Sequence, residues 1–155
     1  MNRSPETDPD RDEDTRQMIE LLNELRVAIP GVQILFGFLL TVPFAPGFDD
    51  TTSLQRGLLV TTMLCTAAST VCLIAPSAAH RILFHLGERR WLIDRASTLL
   101  LVGLGFLALA LTAAVALITD VVYGGVGAVV APGLLALSLG FLWFLQPIAR
   151  RRRRT

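Results

Sequence analysis

The sequence predicts an all-α integral membrane protein, a four-helix bundle with an N-terminal amphipathic helix. Two observations predict this fold. Apolar residues make up 52% of the 155 positions, charged residues only 17%, and the mean hydropathy is +0.55. The second observation is four runs without any charge, at residues 29–48, 57–79, 96–119 and 121–149. Runs of about 18 or more apolar residues are typical of membrane-spanning helices. This composition excludes a soluble enzyme, a nucleic-acid-binding module and a disordered chain.

The arginines predict the orientation of the spans. All 14 basic residues are arginines, and only Arg56 falls in a segment expected outside. Since cytoplasmic segments carry the excess of basic residues, we expect a multi-pass protein with both termini in the cytoplasm. Arginine in place of lysine, with abundant alanine, leucine and glycine, is typical of a GC-rich bacterial genome. The arginines expected to set the topology and to contact anionic lipid headgroups are Arg81, Arg89, Arg90, Arg95, Arg150, Arg151, Arg152, Arg153 and Arg154.

The N-terminal region divides into two parts. Residues 1–14 contain six acids and two prolines, which predicts a disordered acidic tail. Residues 15–29 repeat apolar side chains at helical spacing, which predicts an amphipathic helix; these are Met18, Leu21, Leu22, Leu25 and Ile29. That helix either lies on the inner membrane surface or extends the first span. Pro30 is expected to separate it from the span, because proline breaks a helix interior.

The transmembrane domain is predicted to cover residues 30–149, followed by a basic cytoplasmic tail at 150–155. Its four spans are expected at about 30–48, 57–76, 96–118 and 124–147. Pro43 and Pro46 close the first span, and Pro76 falls at the inner end of the second. The segment after Pro76 is expected to continue as an interfacial helix interrupted at Gly87. Pro132 lies in the glycine-rich first half of the fourth span, where it frees a backbone carbonyl one turn earlier.

Small residues at helical spacing are the candidate packing sites. The third span has Gly105, Ala108 and Thr112, and the fourth has Gly133, Ala136 and Gly140. The second carries hydroxyl residues on one side, Thr62, Thr66, Ser69 and Thr70. Membrane helices associate by close packing of such residues, so we expect these faces to meet inside the bundle. The alternative is a polar lining for a transport pathway.

Few residues in the sequence suggest a catalytic, metal-binding or other polar role. Gln33 and Gln146 are the intramembrane polar residues, expected to form interhelical hydrogen bonds or to anchor at the interface. Cys65 and Cys72 lie seven residues apart, about 10 Å along a helix, which is too far for a disulfide. His80 and His85 do not share a helix face. The sequence has no nucleophile–base pair, phosphate loop or zinc motif, so we expect no catalytic residue, no metal site, no cofactor and no enzyme activity.

Two segments carry a resemblance. ELLNELRVAIPGVQILFGFLLTVPF, from Glu20 to Phe44, and LIAPSAAHRILF, from Leu73 to Phe84, resemble a family of small four-span membrane proteins from high-GC Gram-positive bacteria. That family has no known function, and some members carry the automatic label sodium/proton antiporter. The resemblance implies four spans and a plasma-membrane location. It implies no catalytic or binding residue.

The expected function is that of a non-enzymatic plasma-membrane protein. It is expected to act by association with itself, with lipid or with a membrane-protein partner, and not with nucleic acid. The alternative is a small transporter or channel subunit, including one coupled to sodium and protons. A carboxylate in the middle of the membrane would favour this alternative, but the charge-free runs contain none.

Overall fold

Four long helices form the fold in a computed structural model that describes residues 9–83 and 89–146. They are α1 (Pro9–Thr41), α2 (Ser53–Leu83), α3 (Arg89–Val122) and α4 (Gly127–Leu139), and a π-helical segment at Gly140–Leu145 continues α4. Two short 3-10 turns, Val42–Phe44 and Phe48–Asp50, lie between α1 and α2. The segments able to cross a membrane are Arg26–Phe44, Ser53–Ala79, Arg95–Val122 and Gly127–Leu145. The predicted all-α membrane fold with four spans is confirmed.

Helix α1 is longer than predicted. Its described part, Pro9–Thr41, includes the end of the tail that was expected to be disordered, and it continues through Pro30 without a break. One interior proline removes only one backbone hydrogen bond, which membrane helices tolerate. The predicted break at Pro30 is therefore wrong, and the amphipathic segment is an extension of the first span. Residues 1–8 of the acidic tail lie outside the described residues.

Two further prolines also lie inside helices. Helix α2 runs past Pro76 to Leu83, in agreement with the helical continuation expected after this proline. Pro132 lies inside α4, as expected from its position in the fourth span. Both side chains are buried, so their rings pack in the bundle although each proline lacks a backbone donor. The predicted interruption at Gly87 lies outside the described residues.

The central contact of the bundle is between the antiparallel helices α2 and α3. The buried positions of α2 alternate in steps of three and four: Leu59, Thr62, Thr66, Ser69, Leu73 and Pro76. In α3 the buried Ala96, Gly103 and Ala110 recur every seven residues. Such spacing, 3.5 residues per turn, is typical of helices that pack in left-handed bundles.

The other two helices attach to this pair differently. Helix α1 packs mainly against α2 and more weakly against α3. Its Val32 and the Leu73 of α2, each at most 1% exposed, form a small core with Ala28, Ile29 and Leu100 around it. Helix α4 packs against α3 and makes no comparably extensive contact with α1 or α2 within the described residues. One side of α4 is therefore left open.

The turn between α3 and α4 depends on two glycines. Gly124 and Gly125 have φ angles of +61° and +53°, a left-handed conformation that glycine adopts without steric cost. The amide of Gly124 donates to the carbonyls of Thr119 at 3.2 Å and of Asp120 at 3.1 Å, which caps the end of α3. Because these glycines form the turn, the fourth helix begins at Gly127 rather than near the predicted Gly124.

Candidate functional site

Helix α2 presents three buried hydroxyls to the centre of the bundle. Thr62, Thr66 and Ser69 are each 0% exposed. Thr62 donates to the Leu58 carbonyl at 2.8 Å, and Thr66 donates to the Thr62 carbonyl at 2.7 Å. Ser69 instead donates across the interface, to the Gly103 carbonyl of α3 at 2.8 Å. Within the described part of the chain, no buried side-chain nitrogen or oxygen lacks a partner.

Gly103 marks the closest approach of α2 and α3. A Cβ atom placed there would lie 3.0 Å from Leu73 Cδ2 and 3.1 Å from Cys72 Cβ. Both distances are shorter than ordinary van der Waals contact. Gly105 was a predicted packing residue of the third span, whereas Gly103 was not. The seven-residue spacing of Ala96, Gly103 and Ala110 is the signal that could have identified it.

The predicted packing face of the third span turns toward α4. Gly105, Ala108 and Thr112 are all half-buried. A Cβ atom at Gly105 would lie 4.0 Å from Phe144 Cζ, an ordinary contact. Thr112 donates its hydroxyl to the Ala108 carbonyl at 2.8 Å, within its own helix. This face therefore meets a bulky side chain of the fourth span and not its small residues.

The small residues of the fourth span point away from the bundle. Gly133, Ala136 and Gly140 are exposed, and a Cβ atom at either glycine would meet no atom within 4 Å. The expectation that they pack inside the bundle is wrong, because α4 buries another side, at Pro132. An open groove of about 630 Å³ runs along the exposed side. It is lined by Ala136, Leu137, Ser138, Gly140, Phe141 and Leu145.

A side-chain hydrogen bond joins α2 and α3 at one end of the bundle, which we call the distal end; it comprises residues 42–56 and 119–127. Gln55, in the first turn of α2, donates from Nε2 to Oδ2 of Asp120 at 2.9 Å. Its Oε1 accepts from the Thr52 amide at 3.0 Å, and its own amide donates to the Thr52 hydroxyl at 3.2 Å. This reciprocal pair is a capping box. Gln55 therefore both caps α2 and ties α2 to α3.

Arg56 holds the distal loop. Its Nε donates to Thr51 Oγ1 at 3.0 Å, and its Nη2 donates to the Asp49 carbonyl at 3.0 Å. The guanidinium carbon lies 5.7 Å from the centre of the Phe48 ring, within the range of a cation–π contact. The loop turns at Gly47, which has a φ angle of +84°.

A cleft of about 310 Å³ lies beside this loop. Its walls come from the end of the first span, the first two turns of α2 and the last turns of α3. They are mainly apolar, with Leu59, Leu117, Ile118 and Val121 among them, and Thr51 and Gln55 are the polar lining residues. This cleft was not predicted from the sequence, because its walls come from three segments that are distant in the chain.

The remaining candidate residues are dispersed. Gln33 and Gln146 are both exposed, and so is Arg95. Arg81, Arg89 and Arg90 occupy helical positions near the ends of α2 and α3, whereas Arg150–Arg154 lie outside the described residues.

The groups that could carry redox or metal chemistry are equally dispersed. Cys65 and Cys72 are free thiols, as their spacing predicts. In residues 9–83 and 89–146, no three histidine, cysteine, aspartate or glutamate side chains come close enough to hold a metal ion. The candidate surfaces are therefore the α4 groove and the distal cleft.

The sequence matches the model of a known protein family. The model described as "Family of unknown function (DUF6328)" matches residues 6–147. No curated protein and no solved structure matches the chain. The predicted membership of an uncharacterised family is confirmed, whereas the bacterial group and the antiporter label stay predictions. Because the match covers more than half of its length, the chain belongs to the DUF6328 family.

Proposed function

We propose that the chain is a non-enzymatic protein of the bacterial plasma membrane that acts by associating with a second copy of itself through α4. The observation that carries this proposal is the exposure of Gly133, Ala136 and Gly140. Helix α4 is the least enclosed span, with 6% of its apolar window buried. Contact with a second copy would cover this side.

The chemistry of the face favours a helix over lipid as its neighbour. Lipid tails are as apolar as leucine, so membrane helices associate by close packing, and small residues let their backbones approach. Ala136 and Gly140 are four residues apart, the spacing of the small-xxx-small pattern. A glycine inside a helix also costs about 0.5–1 kcal/mol relative to alanine. Close packing within the chain does not require glycine at Gly133 or Gly140, since a Cβ atom at either position would meet no atom of another element within 4 Å.

The shape of the groove suits a two-fold symmetric contact. Ala136 and Gly140 leave room along the groove, and the larger Leu137, Phe141 and Leu145 line it as well. In a two-fold interface the same surface occurs on both partners, so the large residues of one copy would enter the space over the small residues of the other. Gly140 also begins a π-helical segment, and π turns are frequent at functional sites.

The arginines support a membrane orientation with both termini in the cytoplasm. They also support contact with anionic lipid at that surface, where each basic residue contributes about 1 kcal/mol. This part of the proposal concerns Arg81, Arg89, Arg90, Arg95 and Arg150–Arg154. Nucleic acid is not among the proposed partners.

A small transporter or channel subunit remains the alternative. The residues available to line its pathway are Thr62, Thr66 and Ser69 in the centre of the bundle. Their hydroxyls donate to backbone carbonyls and are fully buried. This arrangement favours a packing role, so the association proposal ranks first.

Cysteine cross-linking in native membranes tests the proposal. Ala136→Cys and Leu134→Cys are compared in a background with Cys65 and Cys72 replaced by alanine. Both positions are exposed, but they lie about 160° apart around the helix. We expect mild oxidation to give a covalent dimer with Ala136→Cys and little with Leu134→Cys.

Adding Gly140→Leu to the Ala136→Cys variant should abolish the cross-link, because the leucine fills the groove. Leu142→Ala, an exposed position on the same helix, is the matched control and should leave it intact. Equal cross-linking at positions 134 and 136, or a cross-link that survives Gly140→Leu, would contradict association through this face.

A further inference from the structure

We infer that the distal cleft binds a phospholipid of the adjacent leaflet, with an acyl chain in the cleft and a zwitterionic headgroup beside Arg56. The cleft has a volume of about 310 Å³. This site is separate from the α4 groove, because its walls come from the α1–α2 loop, α2 and α3. The inference does not depend on self-association.

The depth of the cleft places it next to lipid. Val42, Leu59 and Ile118 line it and belong to the segments able to cross a membrane. Phe48 and Thr51 also line it but lie between two of those segments. The cleft therefore spans the boundary where acyl chains meet headgroups, and a phospholipid presents both an apolar and a polar part there.

The polar lining groups are already paired within the chain. Gln55 donates to Asp120 and accepts from Thr52, and the Thr51 hydroxyl donates to the Phe48 carbonyl at 2.6 Å. Thr51 Oγ1 also accepts from Arg56 Nε. A buried water needs about two to four polar partners, and a sugar or nucleotide would need more. The lining therefore suits an alkyl chain.

The charges at the rim are complementary to a headgroup that carries both signs. Arg56 is the one arginine between Arg26 and Arg81, and Asp49 and Asp50 precede it in the same loop. Arg56 donates to the Thr51 hydroxyl and to the backbone carbonyl of Asp49, so its guanidinium lies beside Thr51, a lining residue, in the loop that carries both aspartates. A phosphate matches Arg56, and an ammonium group matches the aspartates. A purely anionic headgroup would face an excess of acid.

Fluorescence quenching by brominated lipid tests this inference. Trp91 and Trp143 are replaced by phenylalanine, and Phe48→Trp makes the only indole a probe at the cleft. Phosphatidylethanolamine with brominated acyl chains is then titrated into the full chain in detergent. We expect quenching that saturates near one lipid per chain. Half-maximal quenching by brominated phosphatidylglycerol should require about a threefold higher lipid concentration. The difference is this small because an exposed ion pair contributes little binding free energy.

A probe on open surface and a blocked cleft are the controls. Val129→Trp, at a position 71% exposed on α4, should show quenching that rises in proportion to lipid. In the Phe48→Trp protein, Ile118→Phe should raise the lipid concentration that gives half-maximal quenching about tenfold. The larger phenylalanine ring would occupy the cleft, so the acyl chain would lose its packing contacts there. Ala45→Phe, at another lining position, serves if Ile118→Phe does not fold by circular dichroism. The inference would be overturned if quenching of Phe48→Trp rose in proportion to lipid concentration, or if the two brominated lipids quenched it equally. It would also be overturned if quenching were unchanged in both Ile118→Phe and Ala45→Phe.

Discussion

At the scale of single residues, Gly103 determines how closely α2 and α3 approach. A Cβ atom there would lie 3.1 Å from the Cβ atom of Cys72. Cys72 Cβ is bonded directly to the backbone, so it cannot move aside unless α2 itself shifts. The same close approach brings the Gly103 carbonyl within hydrogen-bonding distance of Ser69.

A pair of glycine substitutions tests this role. Gly103→Ala should lower the free energy of unfolding in detergent by about 1–2 kcal/mol, because overpacking a dense core has a cost of this size. Gly105→Ala should leave it unchanged or raise it by about 0.5 kcal/mol, since alanine favours the helix and its Cβ meets only Phe144 Cζ at 4.0 Å. Unfolding followed by circular dichroism measures both. If both variants lost the same free energy of unfolding, Gly103 would not be the residue that limits the approach of α2 and α3.

At the scale of elements, the α2–α3 pair forms the tightest contact, and the Ser69 hydroxyl donates a hydrogen bond across it. Thr62 and Thr66 donate within α2, so their hydroxyls add little to the contact with α3. Ser69 differs because its acceptor belongs to α3. Hydrogen bonds between membrane helices contribute on average about 0.6 kcal/mol and at most about 1.7 kcal/mol.

Two hydroxyl deletions separate these roles. Ser69→Ala should destabilise the protein by about 0.6–1.7 kcal/mol, because the interhelical bond is lost. Thr66→Val keeps the shape and removes a bond to a carbonyl of its own helix, so its effect should be smaller. Thermal unfolding of the two variants in the same detergent makes the comparison. A larger effect from Thr66→Val would show that the buried hydroxyls do more than pack.

Helix α4 should respond differently from the α2–α3 pair. Gly140 is exposed with open space around it. Gly140→Leu should therefore change the stability of the monomer by no more than about 0.5 kcal/mol, as for surface substitutions in general. Unfolding at a protein concentration where size-exclusion chromatography gives a monomer tests this. A large loss of monomer stability would place Gly140 in a contact within the chain.

At the scale of the whole molecule, the arginine distribution predicts the topology. Reporter fusions at Asp50 and Asp120 should be active outside the cell. Fusions after Gln17, Glu88 and Thr155 should report the cytoplasm, since 13 of the 14 arginines lie in those segments. Fusions that place the two termini on opposite sides of the membrane would refute the predicted orientation of the four spans.

The charge-free spans predict that this chain alone does not exchange sodium for protons. Exchange needs an ionisable group in the membrane interior, and the uncharged runs are 20 to 29 residues long. Asp120 lies near the end of α3, bonded to Gln55. Bringing it or Asp94 to the middle would drag arginines or the loop into hydrocarbon at about 2.5–3.5 kcal/mol per charge.

Proteoliposomes with the purified protein should therefore show no sodium-dependent proton movement above that of empty liposomes. A saturable sodium-driven pH change, abolished by Asp94→Asn or Asp120→Asn, would reverse the order of the two proposed functions.

How much of the molecule could be predicted depends on how local each property is. The number of spans and the all-α fold class follow from hydropathy. Because hydropathy is a property of each segment by itself, both were predicted correctly. The helix break expected at Pro30 does not occur, because the cost of one missing hydrogen bond is smaller than that of exposing backbone in lipid. The burial of Thr62, Thr66 and Ser69 was anticipated from hydroxyls on one side of the second span.

The sequence by itself determined that four helices cross a membrane, because an uncharged run long enough to span hydrocarbon has few other stable conformations. For the third and fourth spans, only the tertiary structure decided which side of the helix is buried. In apolar spans every side is compatible with lipid, so hydropathy does not distinguish the Gly103 side of α3 from the Gly105 side. Close packing makes the distinction: Gly103 lies against Leu73 and Cys72, whereas Gly140 remains open. The distal cleft likewise exists only because three distant segments meet there.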